Sequence, residues 1–420
     1  MLRKELFALF FLAVIVSALG LTGFTFGASS APSISLSKTL TGSGLREVDT
    51  LLQTEDGGFL LAGITSSGPS QPTHIELIKV DSSGNMQWNK TYEGTSIGNR
   101  KLLIQTSDGN YAIAGEYLVI NPHKMGFWLA KINSEGDVIW TQTYFGEGMG
   151  YAETLVQTSD GGYALSGPTH VETNVIMGDM DVELIKTDST GNQQWAKTVG
   201  TGHANSIIQT SDEGYALATY STTADFLLTK TDSTGNIQWN KNYGGRDKNS
   251  PSSVVQTSDA GFVVGGSMWL RSNGGGFNLA LVKTDTSGNV TWTKYFSAGF
   301  MREMVQASDG GFAFVNGALV KVDAEGNKQW YIGFNNSTIV YSIIQTQGGG
   351  YAVGGISGAS DRPSEGWMAL IGSATAQPID SSPTPTVPEL TPLVVASALA
   401  IATLLLTLAK KRTQKTFTQQ

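Results

Sequence analysis

The sequence predicts an all-β chain, folded as a seven-bladed β-propeller of four-stranded antiparallel blades. Two repeated phrases and one strand at the amino end predict it. The first phrase, Gln-Thr-x-Asp-Gly-Gly, begins at Gln53 and recurs with variations at Gln105, Gln157, Gln209, Gln256, Gln306 and Gln345. The second, Lys-Thr-Asp-Ser-x-Gly-Asn-x-x-Trp, ends at Trp88, Trp140, Trp195, Trp239, Trp292 and Trp330. Self-similarity at a period near 50 residues is the signature of a repeat architecture in the range of kelch-type units. The third observation is that the seventh unit has no Trp strand after it. The segment Ile34-Ser35-Leu36-Ser37-Lys38-Thr39-Leu40 reads as that missing strand, with Leu36 where Trp stands elsewhere.

Each unit divides into four short apolar runs, called A to D from the centre outward. In the fourth unit these are Ser206 to Thr210, Tyr215 to Thr219, Phe226 to Thr231 and Ile237 to Tyr243. Ser211-Asp212-Glu213-Gly214 and Asp232 to Asn236 supply tight turns, with Gly or Asn able to take positive φ. No run is long enough, or 3.6-periodic, for a helix. The 51 glycines among 420 residues, well above the usual ~7%, fit many turns between short strands. Closing the ring with the amino-terminal strand hides sheet edges. An open solenoid of stacked hairpins is the alternative, but it would not need its missing strand restored from the far end.

The ends predict a compartment. A basic start, an apolar run from Leu6 to Leu21 and small residues at Gly27-Ala28-Ser29-Ser30-Ala31 mark residues 1–30 as a secretory signal peptide, with an uncleaved anchor as the alternative. The propeller occupies residues 31–373. Residues 374–389 form a Pro/Ser/Thr-rich linker, stiffened by its prolines. Residues 390–409 carry no charge and are long enough to span a bilayer as a helix. Lys410, Lys411 and Arg412 open a basic tail, 410–420, expected on the cytoplasmic side. The expected arrangement is single-pass, with the propeller extracellular.

Composition excludes several classes. The absence of cysteine removes disulfides, a thiol nucleophile and Cys-ligated metals. A net charge of −8 argues against nucleic acid as partner. Gly-x-Ser-x-Gly and P-loop motifs are absent, and the four histidines, all in expected loops, lack metal-ligand spacing. We therefore expect no catalytic residue, no metal and no cofactor. Glu47, Glu153 and Glu303 precede strand A in three blades and could line a channel; a hydrogen-bonding role is the expected one.

Two resemblances follow from the phrases quoted. Lys186 to Trp195 and Lys230 to Trp239 resemble the tryptophan-docking repeat of quinoprotein-type propellers, roughly Leu-Asp-x-x-Thr-Gly-x-x-x-Trp, with a turn one residue shorter. That resemblance implies the fold, with Trp88, Trp140, Trp195, Trp239, Trp292 and Trp330 wedged between sheets and hydrogen-bonded through their N–H groups. It brings no quinone site. The linker, Pro388-Glu389-Leu390, apolar span and basic tail resemble the carboxyl ends of archaeal surface proteins, some of which are cut at a Pro-Glu-Phe signal; Leu390 replaces the Phe, which favours simple anchoring. Thr158-Ser159-Asp160-Gly161-Gly162 matches half of a sialidase Asp box, but no Trp follows at the required spacing.

The A–B and C–D turns are nearly constant and share one face. The B–C loops and D–A links share the other and vary, so that face is the expected binding face. Its expected contact residues are Tyr117, His123, His170, Arg246, Trp269, Arg271, Arg302 and Arg362, with Trp269 and Tyr117 as anchors. The expected partner is a surface protein, a glycan or an envelope polymer. The alternatives are a purely structural envelope protein, or a surface hydrolase or lyase working in the channel. The lysines of strand C, Lys79 to Lys321, stand two residues before Asp or Asn and are expected to pair with them to order each turn. Sequons place glycosylation candidates at Asn89, Asn289, Asn335 and Asn336.

Overall fold

The computed structural model describes residues 31–41, 44–65, 74–93, 102–119, 124–146, 148–170, 180–220, 226–244, 249–270, 275–335, 337–358 and 365–372. The chain divides into two units, residues 1–374 and 375–420. The signal segment, the linker, the apolar span 390–409 and the basic tail lie outside the described residues.

Seven antiparallel sheets follow one another, each a meander. Blade 1 runs Thr50–Gln53, Phe59–Thr65, His74–Val80 and Met86–Tyr92 from strand A to strand D. Blade 3 carries a fifth strand because its inner strand is split: Met149–Gly150 and Thr154–Gln157 both pair with Tyr163–His170. Blade 7 supplies only Thr338–Gln345, Tyr351–Ser357 and Glu365–Ile371 from its own end of the chain. Its outer strand is Ile34–Thr39, in antiparallel register with Glu365–Ile371 from Ile34↔Ile371 to Thr39↔Trp367. Trp367 also donates its indole N–H to Ser37 Oγ at 3.0 Å. The closure expected from the missing strand is present.

The apolar core is divided among the junctions between blades. Leu60 and Leu77 of blade 1 pack with Ile113 and Ala130 of blade 2, and Ala352 and Met368 of blade 7 pack with Leu61 and Ile78 of blade 1. Each inner sheet is buried on both faces, so strands B and C read as continuous apolar runs while strand D alternates.

The Trp phrase has a steric reason. Gly136, in the C–D turn of blade 2, has φ +81°, and an added Cβ would lie 2.8 Å from the Trp88 ring. A glycine is needed there both for the turn and for the indole against it. Trp140, Trp195, Trp239 and Trp330 likewise meet the first aromatic of the next blade's strand B edge-on, at 5.8–5.9 Å. At the closing junction Leu36 contacts the Gly84 position instead, as its alignment with Trp requires. The expectation of indole N–H hydrogen bonds fails: among the described residues these six N–H groups have no such partner. The polar link comes from the strand-D tyrosine, with Tyr92 donating to Gly136 O at 2.8 Å and Tyr144 to Gly191 O at 2.6 Å.

Candidate functional site

The turn end of the ring is assembled from internal pairs. Lys79 Nζ lies 2.7 Å from Asp56 Oδ2 and also reaches Val80 O and Gln87 Oε1. The same pair recurs as Lys131–Asp108, Lys186–Asp160, Lys230–Asp212, Lys283–Asp259 and Lys321–Asp309. This corrects the expected partner. Each lysine bridges back to the Asp of its own A–B turn, not to the Asp or Asn two residues ahead. The latter is occupied otherwise: Asp81 Oδ1 accepts from the N–H groups of Ser83 and Asn85 and closes the C–D turn. The A–B aspartates do act as turn formers, since Gly58 N donates to Asp56 Oδ1 at 3.0 Å.

The conserved-looking Gln of the first phrase has a role that strand patterning does not reveal. Gln157, Gln209, Gln256 and Gln345 each accept, through Oε1, a backbone N–H from the preceding blade's A–B turn. Gln347 N donates to Gln53 Oε1 at 2.8 Å, carrying the same link across the closure. These contacts leave the turn end chemically committed to the fold.

The loop end is different. Trp269 and Tyr117, expected on loops, stand on strands: Trp269 pairs with Phe277 within Phe262–Leu270 and Gly276–Thr284, and Tyr117 pairs with Gly126 within Tyr111–Val119 and Lys124–Ile132. Apolar residues continue both hairpins past the expected loop boundaries, so the ladders extend. His74 and His203 begin strands and His170 ends one, which corrects their expected loop positions.

Trp269 remains partly exposed, at 36%. Its ring meets Phe277 edge-on at 5.0 Å, and Phe277 lies 4.7 Å from Phe300, itself 55% exposed. Asn249 Oδ1 accepts from Trp269 N at 2.7 Å and fixes the base of this aromatic shelf. Tyr117, by contrast, packs against the core shared by blades 1 and 2. Arg302 is exposed and places its guanidinium carbon 5.3 Å from the Tyr341 ring. Burial pushes the Glu47 carboxyl up, and the Arg302 charge partly offsets that. His123, Arg246, Arg271, Arg362 and Asn336 lie outside the described residues, and of His170 only the backbone is described. Phe277, Phe300 and Tyr341 were not singled out by sequence; their only signal is an aromatic at a blade's loop end.

The channel-side carboxylates are engaged in the frame. Glu153 is fully buried, with His203 Nδ1 2.8 Å from Oε1 and Ala204 N donating to Oε2 at 2.8 Å. Glu303 Oε2 accepts from Ile343 N at 2.9 Å. Among the described residues no group of three or more His, Asp or Glu is arranged to hold a metal ion. The sequons differ in availability. Asn89 Nδ2 donates to Glu76, and Asn289 Nδ2 to Asp285 within its turn, whereas Asn335 engages Ser337 and Thr338 through its carbonyl oxygen.

No family model and no curated protein matches the chain. Solved structures do. The Dos1 propeller matches with TM-score 0.53 and 10% identity, over 82% of this chain and 96% of its own. The Pan2 WD40 domain of Neurospora crassa matches with TM-score 0.51 and 10% identity, over 81% and 96%. A protein of unknown function from Dyadobacter fermentans matches with TM-score 0.50 and 10% identity, over 82% and 100%. The likeness is one of fold.

Proposed function

We propose that this chain is a membrane-tethered, cell-surface binding module that takes a surface protein or glycan on its loop end. The Trp269–Phe277–Phe300 shelf carries the reading. Exposed aromatics fixed by neighbours offer large contact area at small entropic cost, and Trp and Tyr dominate binding hot spots. At the constant end the strand-C lysines of six blades are instead paired with the aspartates of their own A–B turns. Residues 1–30 and 390–412 support the tether through their sequence pattern alone.

The test is an array of surface proteins and glycans probed with the full-length chain in detergent. A specific partner should be captured, and Trp269→Ala and Phe300→Ser should each weaken it by about thirtyfold, the ~2 kcal/mol of a hot-spot residue. Wild-type affinity in both variants, with an unchanged thermal melt, would remove the shelf from the site. Separately, deleting 390–409 should move the protein from the membrane fraction to the soluble one.

A further inference from the structure

Blades 5 and 6 depart from the repeat where their outer strands meet. Blade 6 has the shortest described B–C hairpin, with Phe312–Val315 turning through Asn316-Gly317 into Ala318–Val322. Its strand D, Lys328–Gly333, carries Tyr331 where the other outer strands carry Asn89, Thr141, Ala196, Asn240 and Thr293. Adjacent residues of a strand point to opposite faces. Trp330 is buried and meets Tyr351 of blade 7, so Tyr331 points back toward blade 5 and is 62% exposed.

Together these residues line an open groove of ≈ 860 Å³ between Lys294 of blade 5 and Lys328 and Tyr331 of blade 6. Lys328 Nζ sits 5.3 Å from the Tyr331 ring, and Lys294 Nζ donates to Asn327 Oδ1 at 3.1 Å. Among the described residues neither lysine has a carboxylate partner, unlike the paired lysines of strand C. At the loop end of the groove Asn316 Oδ1 is a buried acceptor with no donor among the described residues.

We infer that this groove binds an acidic sugar chain. Two unpaired cations in a chain of net charge −8 select an anion. An exposed tyrosine face suits the apolar face of a pyranose ring. A polymer of uronic acids carries both the charge and the ring in one repeating unit, whereas an acidic peptide carries the charge but not the ring. The groove shares no lining residue with the Trp269 shelf, although Asn316 lies beside Gly299, the residue before Phe300.

Calorimetric titration of the full-length chain in detergent tests this with three probes. These are linear oligogalacturonate, a neutral galacto-oligosaccharide of equal length and a poly-glutamate peptide. Oligogalacturonate should bind, and more weakly as salt rises. Tyr331→Asn and Lys328→Gln install residues the repeat already uses at Asn89 and Gln193, so the fold should tolerate them. Each should raise Kd roughly tenfold, the scale of one aromatic or cation contact. Oligogalacturonate binding that neither variant weakens, or that the neutral sugar or the peptide equals, overturns the assignment. So does the absence of oligogalacturonate binding.

Discussion

The two ends of the ring treat their carboxylates in opposite ways. At the turn end they are held ionised. The Lys79 ammonium and the Thr54 hydroxyl pull Asp56 down to about 2, and Lys283 with Thr257 does the same for Asp259. At the loop end they are pushed toward the neutral form. Burial raises Glu47, Glu76, Glu116 and Glu183; the Arg302 charge offsets part of it for Glu47, and donors from Asn89 and Thr65 for Glu76. One end is stabilised by its charges and varies little. The other tolerates charges in unfavourable surroundings, as expected where a surface is kept for purposes other than stability.

The sharpest break is at the closure, on which both ends depend. Deleting residues 31–40 removes the Ile34–Thr39 ladder, the Trp367–Ser37 bond, the Leu36 contact with blade 1 and the Lys38–Asn85 link. The loss should be of order 5 kcal/mol or more, comparable to the whole stability of many domains, and should expose the edge of Glu365–Ile371 to aggregation. Urea unfolding followed by circular dichroism, with light scattering, measures both. A near-wild-type midpoint would mean that the ring holds without its clasp. Next in size is Asp212→Ala at the turn end. Lys230 is 4% exposed and would keep its charge without its carboxylate, which costs about 3–5 kcal/mol in buried pairs; the half-exposed Asp212 discounts that toward the lower figure. Lys230→Met should cost less, because Asp212 then faces water. The reverse order in a denaturant series would show that the aspartate, not the lysine, is the strained partner.

The blade count and the closing strand were legible because turn chemistry is local: Asp-Ser-x-Gly-Asn dictates its hairpin wherever it occurs. What failed to read were contacts between distant residues. The Lys79 partner lies 23 positions back at Asp56, reached across strands A to C, and a two-residue spacing pointed to the wrong Asp. The Gln of the first phrase braces its own A–B turn through Nε2, but its Oε1 serves the preceding blade, and that second contact has no signal within the unit. Tyr117 and Trp269 look alike in sequence, an aromatic near a loop, yet one packs into a core and the other onto an open rim. That difference depends on neighbouring blades. Phe300, contributed from the next link, makes the shelf and carries no motif of its own.

Smaller effects come from pH, and the two ends should answer with opposite signs. The turn-end aspartates have folded values below the unfolded 3.8. Their contribution is therefore complete above about pH 4 and is lost as pH falls through about 2. Thermal melts should drop steeply over that window, and Asp56→Asn should flatten the drop. Glu183 has the opposite sign. Burial raises its folded value above 4.5, with Asp181 adding to the shift. It binds a proton more readily folded than unfolded, so it favours the fold at low pH and loses that advantage as pH rises through the folded value. Glu183→Gln removes this loss. The variant should melt higher than wild type at pH 7 and no higher at pH 4. An equal gain at both values would assign the effect to packing rather than to charge, and the contrast between the two ends would not extend to Glu183.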